Sequence, residues 1–524
     1  MKKILSTALL FAGFLGMTSC DGFLDEEPKS AITGVSYYKT GDQIIANVNS
    51  MYRTGATDFM ANMTGAYRGS SLSAQEMLVG YFQNDFEGQE VDFAFARNLT
   101  RQANTHLTCT NQSNNTWRYA YQVINRANGV LKYIDDIEMN DKAQYKGEAQ
   151  FYRALNYLYL VKFFGGVPNI TEPTENMDNV FVTRDSEENI INQIIIPDLK
   201  GAVDNLPAAT FAANGHRVTK YAAEMVLADV YMRVGQYGEA ATVLKDVVNN
   251  SGHALTENDD LGMNSAFNIL RENDDLPEVI WAYEYDGNIS KNGNFPTHAF
   301  DGDAEKIFDG SYTLWVKTFG VSDRFLNVYE ANDLRIQPNQ FFHWTYTNPK
   351  NGKTWTSANG ACNWYWYEEE AILETLSGKK DWNFYRYAEA LLSAAESIAQ
   401  SEGVTDEAKK YLAQVQARAN MEGKTVAEIA AALPTDKQAF IEACWTERLR
   451  EMPLEMKMWD LCVRTGKFPN ISETVKGQVT YETLIGAKNG SGATFQATDL
   501  YWPIPIDEIQ RNPELTQNDG YAAK

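Results

Sequence analysis

Between Tyr221 and Val248 the apolar positions form two helical stripes separated by one glycine. Leu227, Ala228 and Tyr231 precede Gly235; Tyr237 and Ala240 follow it. These are the spacings of a tetratricopeptide-type helix hairpin. Small Ala228 and Ala240 should let two helices approach closely, with Tyr231 and Tyr237 filling the groove between them. Gly235 should make the turn, where a side chain would clash or strain the backbone. One such pair cannot bury its apolar faces alone, so neighbours are required.

Those neighbours can be read along the chain. Trp117, Tyr121, Ile124 and Leu131 recur on one helical face. Glu148 to Leu155 continues a helix that Gly165-Gly166 ends and Pro168 keeps from restarting. Ile44 to Arg53 and Glu187 to Leu206 are further helical patterns, and Tyr387 to Glu396 pairs with Ala408 to Ala419 as a second hairpin. Pro277 to Tyr285, β-branched and aromatic, predicts a strand. Tyr81 to Phe86 and Phe93 to Asn98 predict loop with exposed aromatics. Over 287–380 the helical period fades, while seven of the 11 tryptophans fall between Trp281 and Trp382. The expected fold is mostly α. Four tetratricopeptide-like helix pairs, near 117–250 and 384–465, form a superhelical scaffold. An irregular lobe of loop, short strand and helix, the 287–380 excursion, packs on it.

Composition narrows the chemistry. A formal net charge of -23 argues against nucleic acid, which needs a basic footprint. Five cysteines and five histidines show no metal-ligand spacing. Asp301, Asp303, Glu305 and Asp309 lack the glycine and closing glutamate of a calcium loop. No nucleophile elbow, HExxH or P-loop occurs, so neither cofactor nor metal is expected. The carboxylates invite a glycosidase reading, which needs two facing carboxyls. In Glu447, Arg448, Arg450 and Glu451, however, the spacing predicts a structural charge network, with Glu447–Arg450 and Arg448–Glu451 as i,i+3 pairs.

Lys2 and Lys3 precede a short apolar run, Ile4 to Leu15, below the ~20 residues that span a bilayer. Gly16-Met17-Thr18-Ser19-Cys20 resembles a bacterial lipobox, and an acidic stretch follows it. The expected organisation is a signal peptide over 1–19, an acidic tether over 20–29 starting at a lipidated Cys20, and one domain over 30–524.

Several motifs resemble the SusD/RagB lipoproteins. They are Cys20-Asp21 with Phe23-Leu24-Asp25 and Pro28, Glu148-Ala149 through Arg153-Ala154 with Phe164 to Pro168, and Glu447 to Glu455 with Trp459-Asp460-Leu461. The tail, Tyr501-Trp502-Pro503-Ile504-Pro505 to Tyr521, is similar too. Pro453 departs from the pattern and should break or kink its helix. The resemblance implies a lipid-anchored protein exposed on the outer membrane. Such a protein captures oligosaccharide for a SusC-like TonB-dependent transporter and does no covalent chemistry. It also implies a shallow glycan site drawing on Asn98, His106, Tyr285, Phe295, Tyr312 and Trp315. There an aromatic face covers a sugar ring and polar neighbours bond its hydroxyls. Oligopeptide capture, a surface glycoside hydrolase and a protein–protein scaffold are the competing readings.

Overall fold

The computed structural model describes residues 37–61, 75–83, 110–175, 181–287, 296, 299–308, 319–375 and 377–521. Helix α1 (Gly41–Met51) lies against α2 (Thr110–Tyr133) and α3 (Lys142–Phe164). A helical turn, Glu187–Ile190, and a π-helical segment, Ile191–Ile195, lead into α4 (Ile196–Asn205). The hairpin read from the sequence follows as α5 (Lys220–Arg233) and α6 (Tyr237–Asn250). Then come α7 (Ala266–Glu272), α8 (Tyr387–Ser401), α9 (Asp406–Ala419), α10 (Lys437–Glu451) and α11 (Met458–Thr465).

From α2 to α6 each long helix packs on the next, α6 packs on α8, and α8 carries both α9 and α10. This is the predicted ladder. Ala228 and Ala240 are buried at the α5–α6 contact. Thr219, Thr405 and Asp436 cap α5, α9 and α10 by accepting a backbone N–H from the first turn. Gly165 closes α3 with a φ of 69°. Gly235 turns the hairpin at a φ of 74°, but a Cβ there would meet nothing within 4 Å. Its glycine therefore answers backbone strain and not a clash.

Strand β1 (Val279–Tyr283) pairs antiparallel with β2 (Trp382–Arg386), closing the excursion at its base. Near the end of the chain β3 (Lys467–Ile471) pairs with β4 (Val479–Thr483). Inside the lobe, Phe342–His343 pairs with Cys362–Asn363, and Thr345–Thr347 with Thr354–Thr356. These short ladders surround a second core built on Phe300, Phe308, Tyr346, Trp355, Trp364 and Tyr367. Most described tryptophans of the excursion are thus core, not display.

Two expectations are corrected. Tyr81 and Phe82 are buried, not exposed. The Tyr81 hydroxyl donates to the Pro469 carbonyl at 2.7 Å, and Phe82 pairs with Val321. Nor does Arg448 pair with Glu451. Arg448 turns to Glu389 on α8, and Glu451 faces Arg335, Arg386 and Arg418. Glu278, Glu447, Glu455 and Asp333 complete this buried web. Burial alone would raise the Glu278 carboxyl, yet Arg418 and Arg386 hold it below the usual carboxylate range. Glu447 and Glu451 of α10 are thereby consumed in structure. Helix α10 ends before Pro453, as expected.

Candidate functional site

Residues just beyond β1 and just before β2 meet at the lobe's base. Trp382 stands opposite Tyr283 and Asn383 opposite Ala282, which brings Tyr285 beside Asp381. The Tyr285 N–H donates to Asp381 Oδ1 at 2.7 Å. The Tyr285 ring packs against Tyr283 with centroids 5.1 Å apart, and the Arg53 guanidinium lies 4.4 Å over Tyr283. Arg53 also donates to the Glu284 carbonyl.

Charged groups crowd this corner. Lys380 pairs with Asp274. The two ring nitrogens of His216 reach Asp275 at 2.7 Å and Glu284 at 3.1 Å. Burial, then the nearby charges of Asp274 and Glu284, push Asp381 up to about 8. Burial raises Glu284 too.

Two concavities adjoin. Leu270, Tyr285, Tyr365, Trp366 and Trp382 wall a narrow slot of about 40 Å3, which Asn383 and Glu455 also line. Arg271, Glu368 and Lys380 belong both to this slot and to an open cleft of about 400 Å3. Tyr346, Trp364 and Tyr367 form the cleft's aromatic side. Trp364 stacks on Tyr367 at 4.2 Å, and the hydroxyls of Tyr346 and Tyr367 are 2.9 Å apart. Trp364 is only 5% exposed and Tyr367 4%, so they present edges and hydroxyls, not free faces.

The cleft carries five carboxylates, Glu272, Asp274, Glu368, Glu369 and Glu370, against Arg271, Lys379 and Lys380. All three cations are paired within it: Arg271 with Glu272, Lys379 with Glu370, Lys380 with Asp274. Such a surface can accept hydrogen bonds from a polyhydroxylated ligand along an aromatic wall. Among the described residues no cluster of His, Cys, Asp and Glu could hold a metal ion.

Of the residues expected to bind ligand, Tyr285 lines the slot. Asn98, His106, Phe295, Tyr312 and Trp315 fall outside the described residues, as does Cys20. Arg271, Trp364, Tyr367, Lys380 and Asn383 were not foreseen. The run Trp364-Tyr365-Trp366-Tyr367 followed by three glutamates was the available signal.

A model described as the SusD family matches residues 339–521, and one described as starch-binding, associating with the outer membrane, matches residues 23–232. SusD-like protein P38 of Formosa agariphila is 23% identical, over 99% of this chain and 99% of its own. SusD-like protein P2 of the same organism is also 23% identical, over 99% of this chain and all of its own. A SusD superfamily protein from Parabacteroides distasonis shares the fold with a TM-score of 0.76 at 24% identity, over 92% of this chain and 99% of that one. A laminarin-binding SusD-like protein superposes with a TM-score of 0.69 at 21% identity, over 92% of this chain and 100% of that one. No described helix is long and apolar enough to cross a membrane. With matches of both models together spanning most of its length, the chain belongs to the SusD family.

Proposed function

We propose that the chain is a cell-surface glycan-binding lipoprotein that captures oligosaccharides and delivers them to a SusC-like TonB-dependent transporter, without turnover. The observation that carries this reading is the open cleft beside Tyr285, whose aromatic wall, hydroxyls and carboxylates suit sugar hydroxyls. Its likeness to a laminarin-binding protein adds support. In this reading Cys20 carries the lipid, 20–29 is the tether and 30–524 is a single domain. Asn98, His106, Phe295, Tyr312 and Trp315 join Tyr285 in contacting ligand.

Calorimetric titration of the mature protein with soluble oligosaccharides, with product analysis alongside, tests it. Weak binding is expected, because sugar hydroxyls exchange water bonds for protein bonds at small net gain. Trp315→Ala should abolish binding and leave the melting temperature nearly unchanged. Intact binding with stability lowered by about 3–5 kcal/mol would place Trp315 in the core instead. Shortened sugars in the cell would overturn the non-enzymatic reading, and heats confined to oligopeptides would replace the glycan.

A further inference from the structure

The slot beneath Tyr285 holds an unfinished set of hydrogen bonds. Asn383 is 7% exposed and Glu455 5% exposed. Asn383 Oδ1 and Glu455 Oε2 are buried without a hydrogen-bond partner, and both residues line the slot. The other oxygen of Glu455 accepts two bonds from Arg386, at 2.9 and 2.6 Å, so the arginine leaves Oε2 unserved. A buried polar atom left in this way carries an uncompensated desolvation penalty, which a ligand able to satisfy it recovers.

Size limits that ligand. One water needs about 10–15 Å3 of such space. A slot of about 40 Å3 therefore takes a hydroxyl or hydroxymethyl arm and not a sugar ring. The ring has room next door, in the cleft of about 400 Å3 that shares Arg271, Glu368 and Lys380 with the slot.

Chemistry limits it further. Asn383 Oδ1 needs a donor. Burial raises the Glu455 carboxyl and Arg386 opposes the rise; a hydroxyl serves it in either protonation state, since it both donates and accepts. An ionised carboxylate or a sulfate brings acceptors only. It would also meet the surplus carboxylates of the cleft, where Arg271, Lys379 and Lys380 are already committed to acids.

We propose that this slot is a subsite for an uncharged hydroxyl-bearing arm of the captured sugar, so that the protein selects neutral glycans and refuses uronate- and sulfate-bearing ones. The inference rests on the glycan-capture reading.

The mature full-length chain is to be titrated with neutral glucan and galactan hexaoses, oligogalacturonate, a sulfated galactan hexaose, chitosan hexaose and mixed oligopeptides. Binding is expected among the neutral sugars alone. Asn383→Leu should weaken it at least tenfold, while the ligand-free melting temperature stays level or rises, because an unserved acceptor has been removed. A residue with a purely structural polar role would lower the melt. Asn383→Ala repeats the test with less bulk should the leucine misfold. Tighter binding of either anionic glycan overturns the proposal, as does a preference of more than tenfold for chitosan or undiminished binding by both variants. Those results leave glycan capture standing. Oligopeptide binding with no response to any glycan removes the capture reading itself.

Discussion

Gly55 and Gly235 share a left-handed backbone, with φ of 73° and 74°, and differ in what surrounds them. A Cβ on Gly235 meets nothing, whereas one on Gly55 would sit 2.3 Å from Asn156 Oδ1 and 2.8 Å from Val123. That Asn156 oxygen accepts the Ala56 N–H at 2.9 Å. Gly235→Ala should therefore cost only the left-handed strain, about 1–2 kcal/mol. Gly55→Ala should add the loss of a buried hydrogen bond, about 1–3 kcal/mol more. Urea unfolding of the two variants should give the lower midpoint for Gly55→Ala; equal midpoints would mean that Asn156 moves aside without cost. The sequence showed Gly235 because its reason is local. It did not show Gly55, where Asn156 bonds the next residue, Ala56, from 100 positions away. The same limit applied at the site. Tyr285 was named from the family resemblance, and only the strand before it was read from its residue types. Asn383 and Glu455 were not legible, because an acceptor without a partner exists only once the chain around it has folded.

At the scale of elements, periodicity carried furthest where contacts are between neighbours in sequence. The α5–α6 hairpin, the end of α3 at Gly165 and strand β1 all stand where the apolar pattern put them. The π-helical segment Ile191–Ile195 had no signature, since it changes the hydrogen-bond step without changing the residue types. The α5–α6 contact also hides a proton. Burial, then a hydrogen bond to Asp246 and that residue's charge, push Glu224 on α5 up to about 8, with Lys220 Nζ 2.5 Å from Asp246. The folded chain therefore keeps a proton that the unfolded chain sheds near 4.5. Stability from this group is full below about 4.5 and is lost as pH rises through about 8. Glu224→Gln should match the parent at pH 4 and exceed it at pH 9, by up to about 5 kcal/mol. Thermal melts at the two pH values measure this, and parallel curves would place the proton elsewhere.

For the molecule as a whole, the buried arginine web joins the lobe to the ladder. Glu451 alone faces three arginines, so Glu451→Gln should leave cations unbalanced in the core and cost about 3–5 kcal/mol. A denaturation midpoint within error of the parent would show that water reaches the web. Attachment is a separate matter: Cys20→Ala should yield a folded protein in the soluble fraction, and complete retention with membranes would locate the anchor elsewhere. The web also has an order in time. Glu278, Arg335 and Arg386 are synthesised well before Glu447, Glu451 and Glu455, and Arg335 precedes its partner Glu447 by 112 positions. Until α10 emerges, those two arginines lack most of the carboxylates that neutralise them, and the junction between ladder and lobe cannot close dry. A chain clipped or stalled before α10 should therefore keep its early hairpins yet stay open at this seam, exposed to proteolysis. The web acts as a test of progress, passed only by a chain that has been made as far as Glu455.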